Sequence, residues 1–67
     1  MLLLTQREAA LALRLSERTL ERWRVAGTGP RFVRLNHSIR YRQQDVDAHV
    51  AARVVASTSE KGDHDNA

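Results

Sequence analysis

Three side chains in one short segment have the chemistry to recognise a nucleic acid: Arg18, Thr19 and Arg22. In a helix Arg18 and Arg22 lie one turn apart, and each guanidinium can donate two hydrogen bonds to a guanine edge or to a phosphate. Thr19 can contact a phosphate or a thymine methyl group. We therefore predict that this segment binds DNA, together with its neighbours Ser16 and Glu17. The alternative is a solvated helix face with ordinary Glu–Arg pairs.

A second candidate site surrounds the polar tripeptide Asn36-His37-Ser38. The residues on both sides of it alternate in hydropathy with period two, which predicts a β-hairpin with this tripeptide at its tip. The alternation places Arg34 and Arg40 across from each other on the exposed face, where a phosphate between them would relieve their repulsion. The tip is small enough to enter a minor groove. The alternative is a turn selected only for its backbone conformation.

Thr5 and Gln6 form a third candidate site, at the start of a predicted helix. The free amide groups in the first turn of a helix bind anions, so we expect a contact between this helix end and a backbone phosphate. Ser16 opens the next predicted helix in the same manner. The alternative for all of these residues is plain helix capping.

Other classes of function find little support in the residue types. The chain has no cysteine, which excludes disulfides and thiolate metal sites. Its histidines, His37, His49 and His64, are too widely spaced for a short zinc motif. We recognise no Gly-rich phosphate loop and no catalytic serine–histidine–carboxylate set, so we expect neither an enzyme nor a bound cofactor. The apolar run Leu2–Leu4 is too short for a membrane span or a signal peptide, so we expect a cytoplasmic protein without membrane contact.

The distribution of charge favours an anionic partner. The 67 residues include 11 Lys+Arg and 8 Asp+Glu, for a formal net charge of +3, and the pI is about 10.6. Residues 1–55 hold ten arginines and five acids, a net charge of +5, whereas residues 56–67 hold one lysine and three acids, a net charge of −2. This asymmetry predicts a DNA-binding domain over 1–55 and a disordered acidic tail over 56–67. The alternative is an arginine-rich composition that reflects a GC-rich genome.

Two helices with clear start and stop signals must carry the first and third sites. A capping box, Thr-Gln-Arg-Glu, begins at Thr5 and predicts a helix that extends to about Leu13. Ser16 is a second N-cap, and Gly27 suits the left-handed position that ends a helix. We therefore predict a second helix over 17–26. Two short helices with so brief a connection form a helix-turn-helix pattern.

The remaining elements are the hairpin and a third helix from near Gln43 to about Val54. The hairpin pattern places Val33, Leu35, Ile39 and Tyr41 on one apolar face. In the third helix, valines recur every four residues at Val46, Val50 and Val54 and predict a buried stripe. The aromatic residues Trp23, Phe32 and Tyr41 are assigned to the core, and His49 to a partly exposed position beside the valines. The fold class predicted is mainly α with a small β-hairpin, a winged helix-turn-helix.

These residues resemble the small excisionase-type members of the MerR superfamily over about residues 3–54. The resemblance is carried by Leu3-Leu4-Thr5, Glu8-Ala9-Ala10, Leu15-Ser16, Arg18-Thr19-Leu20, Arg22-Trp23, Gly29-Pro30, Phe32-Val33-Arg34-Leu35, Ile39-Arg40-Tyr41 and Asp45-Val46. In its arginine-rich composition the chain is similar to the short excisionases of actinobacterial phages, the mycobacteriophages among them.

The resemblance implies a winged helix-turn-helix whose second helix enters the major groove of double-stranded DNA and whose wing touches the minor groove. Arg18, Thr19 and Arg22 match positions that read the major groove in that family, and Asn36-His37-Ser38 matches the wing tip. The phage members are recombination directionality factors. They bind as neighbouring copies near an attachment site, bend the DNA and direct a phage integrase toward excision. We would then expect the protein at the nucleoid of a bacterial host.

Two other functions fit the same residues. One is a small transcriptional regulator of a prophage or mobile element, which would touch DNA in the same way. The other is a protein-interaction module whose basic face binds an acidic partner. MerR-type activators continue into a long coiled coil and an effector domain, whereas this sequence has no heptads after the third helix. We therefore expect no small-molecule effector.

Overall fold

The structure is a computed structural model that describes residues 1–57. Six elements follow in order: β1 (Leu3–Thr5), α1 (Gln6–Leu13), α2 (Glu17–Ala26), β2 (Val33–Leu35), β3 (Ser38–Arg42) and α3 (Gln43–Ala51). The strands form an antiparallel sheet in the order β1-β3-β2. Three helices beside a three-stranded antiparallel sheet make a winged helix-turn-helix, and this confirms the predicted fold class.

The predicted bounds of α1 and α2 are confirmed, as are their caps. The Glu8 amide donates to Thr5 Oγ1 at 3.0 Å and the Thr5 amide donates to Glu8 Oε1 at 2.9 Å, which completes the capping box. Arg14, the C-cap that follows Leu13, is left-handed at φ 59°. The Thr19 amide donates to Ser16 Oγ at 3.1 Å, and Gly27 ends α2 at φ 78°. Each of these signals acts over a few residues, and each is visible in the sequence.

Strand β1 was not predicted. Leu3, Leu4 and Thr5 pair with Arg42, Tyr41 and Arg40 of β3. The predicted hairpin therefore supplies two strands of a three-stranded sheet. The Gln43 amide also donates to the Leu2 carbonyl at 3.0 Å. A strand of three residues that runs directly into a helix has too few positions to show an alternating pattern.

The predicted faces of the hairpin are wrong. Only Asn36 and His37 form the turn, Ser38 is the first residue of β3, and Leu35 pairs with Ser38. Asn36 lies in the left-handed region at φ 59°, which Asn tolerates better than most residues.

With this two-residue turn, Arg34 lies opposite Ile39 and Val33 lies opposite Arg40. Residues directly opposite each other share a face of the sheet. Arg34 and Arg40 therefore lie on opposite faces, and so do Val33 and Tyr41. A shift of one residue in register exchanges the faces of a whole strand.

The core lies between the helices and one face of the sheet. Its fully buried members are Ala9, Ala10, Leu20, Tyr41 and Val46, with Leu4, Leu13, Trp23 and Ile39 packed against them. The two adjacent alanines of α1 are buried, and their small side chains leave room for a close neighbour. Of the predicted aromatic core, Tyr41 is 0% exposed but Phe32 is 36% exposed, so the assignment of Phe32 to the core is wrong.

The predicted valine stripe of α3 is correct only at Val46. The helix ends at Ala51, three residues before the predicted end. Val50 is 48% exposed and Val54 is 76% exposed. The core of so small a domain is already filled by shorter side chains of α1 and by Tyr41, and it does not extend to the last turn of α3.

An ion pair joins β3 to α3. Arg42 Nε donates to Asp45 Oδ2 at 2.5 Å, and Arg42 Nη2 donates to Asp45 Oδ1 at 2.9 Å. The hydrogen bonds from Arg42 hold the pKa of Asp45 below its ordinary value, against the effect of desolvation, and the nearby charge of Arg31 adds to the lowering. The bidentate pair fixes the start of α3, whose N-cap residue, Arg42, makes no side-chain capping bond.

No helix within residues 1–57 is long and apolar enough to cross a membrane. The predicted tail, 56–67, lies outside the described residues except for Ala56 and Ser57, which are exposed. The division into a domain over 1–55 and an acidic tail stays a prediction.

Candidate nucleic-acid interface

The outer side of α2 is an exposed face with two free arginines. Arg18, Glu21, Arg22 and Val25 are all exposed, and their spacing of three and four residues places them on one side of the helix. Among residues 1–57 neither Arg18 nor Arg22 has an ion-pair partner, since the described part of the chain contains the Arg42–Asp45 pair alone. The Glu–Arg pairs that would mark an ordinary solvated face are therefore not formed on α2.

At the N-terminus of α2 the two hydroxyl residues are bonded to each other. Ser16 Oγ accepts from the Thr19 amide at 3.1 Å and donates to Thr19 Oγ1 at 3.0 Å. The hydrogen of the Ser16 hydroxyl is thus used within the protein, whereas the hydrogen of the Thr19 hydroxyl remains available to an acceptor. Ser16 and Glu17 are exposed and Thr19 is half-buried. Thr19 is the better placed of the two hydroxyls for an external phosphate.

The hairpin of β2 and β3, which we call the wing, carries its polar tip in solvent. Arg34, Asn36, His37 and Ser38 are exposed. Arg40 is half-buried, and its Nη1 donates to the carbonyl of the neighbouring Ile39 at 2.9 Å. The two arginines lie on opposite faces of the sheet, so the predicted pair around a single phosphate is not present.

The N-terminus of α1 combines capping with a tertiary contact. The Thr5 hydroxyl is used in the capping box, as the alternative reading of this residue expects. Gln6 is half-buried, and its Oε1 accepts from Arg24 Nη2 at 3.4 Å. The free amides at this helix end remain available to an anion, while the Gln6 side chain is directed toward α2.

Arg24 is a functional candidate that the sequence reasoning missed. It is half-buried, and its guanidinium carbon lies 5.8 Å from the centre of the Phe32 ring. Burial raises the pKa of Tyr41, and the charge of Arg24 partly offsets that rise. Helical periodicity could have predicted its direction, because residues two apart in a helix point to nearly opposite sides. Arg24 therefore points toward the sheet while Arg22 points to solvent.

Trp23 and His49 join α2 to α3. Their ring centres lie 5.6 Å apart, and His49 Nε2 is buried without a hydrogen-bond partner among residues 1–57. Burial lowers the pKa of His49, and the charge of Arg53 lowers it further. Within residues 1–57 no three His, Cys, Asp or Glu side chains converge to hold a metal ion.

A capped helix pair, an exposed arginine face and a wing define a winged helix-turn-helix of the DNA-binding class. Residues 3–54 match the model of a family described as the helix-turn-helix domain. The chain belongs to this family, which includes excisionase-like DNA-binding proteins and whose members are typically not enzymes. None of the curated proteins matches the chain.

Proposed function

We propose that the chain is an excisionase that binds adjacent sites beside a phage attachment site, bends the DNA and directs a phage integrase toward excision. It acts at the nucleoid, in the cytoplasm of a bacterial host. The observation that carries the DNA-binding part is the exposed side of α2, where Arg18 and Arg22 have no ion-pair partner within residues 1–57. The excisionase part is supported by membership of a family that includes excisionase-like proteins.

In this proposal α2 lies in the major groove. Arg18 and Arg22 bind guanine edges or phosphates, because each retains its full set of donors. Thr19 donates its free hydroxyl hydrogen to a phosphate. Glu17 accepts from a cytosine amine or orients an arginine, and Ser16 holds the first turn of the helix against the backbone.

In this proposal the wing contacts the minor groove through Asn36, His37 and Ser38. Arg34 shares its face with Ile39, which packs against the core, and it is exposed. Arg40 faces away and already donates to a backbone carbonyl. We therefore assign Arg34 the larger part in binding. The Arg34→Ala variant should lose more affinity than the Arg40→Ala variant in the same titration, and equal losses would contradict this assignment.

Adjacent binding follows from the size of the interface. A single small module contacts about 600–1,000 Å² of DNA, which favours cooperation with a neighbouring copy or with an integrase. The free amides at the start of α1, beside Thr5 and Gln6, add a backbone contact on the flank of the recognition helix. Contacts at both a major and a minor groove favour a bend between them.

The first experiment is a gel-shift titration with circularly permuted DNA from the region beside the protein's own gene. We expect stepwise, cooperative complexes whose mobility depends on the position of the site. A single unbent complex would overturn the excisionase proposal in favour of a transcriptional regulator. No specific shift at low salt would overturn DNA binding there and point to a protein partner.

Two variants test the proposed DNA contacts of α2. Arg18→Ala and Arg22→Ala should each lower the affinity for specific DNA by about five- to 150-fold, because a bidentate base contact contributes about 1–3 kcal/mol. Arg53→Ala is the matched control on DNA that carries a single site, since it removes the same charge from an exposed position on the α3 side. Equal losses in all three variants would show that only net charge is recognised.

A further inference from the structure

A basic groove lies between the end of α2, the loop that follows it and the sheet. Its volume is about 530 Å³. It is lined by Arg24, Pro30, Arg31, Phe32, Arg42 and Asp45, among others. We call it the loop groove. None of the predicted site residues lines it, so the DNA-binding proposal leaves it without a role.

The loop groove lies on the other side of α2 from the arginine face. Arg22 and Arg24 are two residues apart, which separates their directions by about 200° around the helix. Arg22 is exposed, whereas Arg24 contacts Gln6 and the Phe32 ring. A duplex held by Arg18 and Arg22 therefore does not fill the loop groove.

The charges in the loop groove are unbalanced. Three guanidinium groups and a single carboxylate line it, for a net charge of +2. Asp45 is already paired with Arg42, so Arg24 and Arg31 have no carboxylate partner among residues 1–57. The Nε–H donor of Arg24 is buried and lacks a hydrogen-bond acceptor there. A buried donor without an acceptor is costly, and a bound carboxylate is one group that would satisfy it.

A second groove continues the first along α3. It has a volume of about 300 Å³ and shares Gly29, Pro30, Arg31 and Asp45 with the loop groove. Arg53 lines its far part. Arg31 therefore lies where the two grooves meet, and arginines line the path on both sides of it. The exposed ring of Phe32 beside these arginines makes the path suited to a peptide rather than to a single ion.

We propose that the loop groove binds the acidic segment 58–67 of a neighbouring copy on DNA. This proposal rests on the proposed function, which places copies on adjacent sites. The segment contains Glu60, Asp63 and Asp65 against Lys61, a net charge of −2 that complements the groove. Guanidinium groups pair with carboxylates through two parallel hydrogen bonds.

The contact does not need to be strong in free solution. Each exposed ion pair contributes little stability by itself. Copies bound to adjacent sites hold each other's segments at an effective concentration in the millimolar range. The segment then adds cooperativity on DNA without producing a stable dimer in its absence.

The test compares DNA that carries one binding site with DNA that carries two adjacent sites, in fluorescence anisotropy titrations of the full chain. One variant is Arg31→Glu, which reverses the charge at an exposed position and should leave the fold intact. The other replaces Glu60 by glutamine and Asp63 and Asp65 by asparagine, which removes three negative charges. We expect each to lower the cooperativity factor on two sites by about tenfold while affinity for one site changes less than threefold. Combining Arg31→Glu with Asp63→Lys should recover part of the cooperativity.

Asp47→Lys is the control for a change in net charge, because it adds two positive charge units at an exposed residue of α3 that lines neither groove. It should leave the cooperativity factor unchanged, and a loss equal to that of the triple variant would overturn the proposal. A parallel loss on one-site and two-site DNA in Arg31→Glu would show that the groove binds phosphates of the duplex instead. A gain in one-site affinity in the triple variant that exceeds the gain in Asp47→Lys, with cooperativity intact, would show that the segment binds its own domain.

Failure of the proposed function is a separate result. Absence of specific binding to one-site DNA by the unaltered chain would reject that function and this inference with it. Specific one-site binding with two-site cooperativity that neither variant changes would reject the inference alone.

Discussion

The helix-turn-helix half of the domain and its sheet are held by interactions of different range. Helices α1 and α2 begin at side-chain caps that reach three residues along the chain, and they end at left-handed Arg14 and Gly27. The sheet instead pairs residues from opposite ends of the domain, such as Leu3 with Arg42. Local interactions therefore shape the first half, whereas the third strand of the sheet, β1, depends on pairing across the domain.

This difference affects the candidate interface directly. Arg18 and Arg22 share an exposed face whenever α2 is a helix, so their relation is independent of the rest of the fold. Arg34 and Arg40 lie on opposite faces because the turn contains two residues. In a hairpin, the face on which a binding group lies depends on the register, and the length of the turn fixes that register.

The largest effect should come from the residue that both halves share. Leu20 of α2 is fully buried in the same cluster as Tyr41 of β3. Leu20→Ala should lower the free energy of unfolding by about 2–5 kcal/mol, most of the stability of so small a core. Urea titrations followed by far-UV circular dichroism and by Trp23 fluorescence should shift together. Separate transitions would show that the halves fold independently; Val25→Ala, at an exposed position of the same helix, should change little.

A smaller effect is expected in the sheet at Asn36. The left-handed backbone at Asn36 disfavours residues other than Gly, Asn and Asp. Asn36→Ala should lower the free energy of unfolding by about 1–2 kcal/mol. A lower midpoint of thermal unfolding would report this loss. Asn36→Gly is the control and should retain or exceed the stability of the unaltered chain. Equal midpoints for the two variants would show that the turn relaxes to another conformation.

In the helical half, removal of the N-cap of α2 should lower the free energy of unfolding by about 1 kcal/mol. Ser16→Ala removes the acceptor of the Thr19 amide and the partner of the Thr19 hydroxyl. Ser16→Asp keeps the cap and should keep the stability, but its charge should weaken DNA binding. Unfolding titrations and DNA titrations of the two variants therefore separate capping from recognition. An alanine variant as stable as the unaltered chain would mean that packing alone holds this end of α2.

The smallest effect is a pH dependence at the contact between α2 and α3. His49 has a lowered pKa because it is partly buried beside Trp23 and near Arg53. The folded state therefore binds a proton less readily than the unfolded state. Stability should be full above pH 6.5, the ordinary pKa of histidine, and should fall as the pH drops through the lower folded value.

The fluorescence of Trp23, the single tryptophan of the chain, should report this protonation. An imidazolium quenches indole more strongly than a neutral imidazole, so emission should decrease over the same pH range. His49→Gln should remove both the change in emission and the loss of stability. A midpoint above pH 6.5 would contradict the buried, neutral histidine. Asp45 does not contribute here, because its lowered pKa places its effect below pH 3.8.

Much of the helical half was predictable because its signals are short. The capping box at Thr5, the cap at Ser16 and the glycine after α2 act within one helical turn. The outward direction of Arg18 and Arg22 follows from the period of a helix alone. The same period identifies Arg24 as an inward residue, but what it contacts depends on where Gln6 and Phe32 are placed.

The sequence by itself determined the first two helices, the presence of a hairpin, the excess of arginine and the arginine face of α2, since each depends on neighbours within a few residues. Only the tertiary structure decided β1, the faces of Arg34 and Arg40, the exposure of Phe32 and Val54, and the loop groove. The faces of the two arginines depend on the exact length of a turn, which the alternating pattern does not mark. The other features depend on which distant segments pair and on how much apolar surface one small core can cover. The spacing of residues along the chain indicates neither the pairing of distant segments nor the extent of the core.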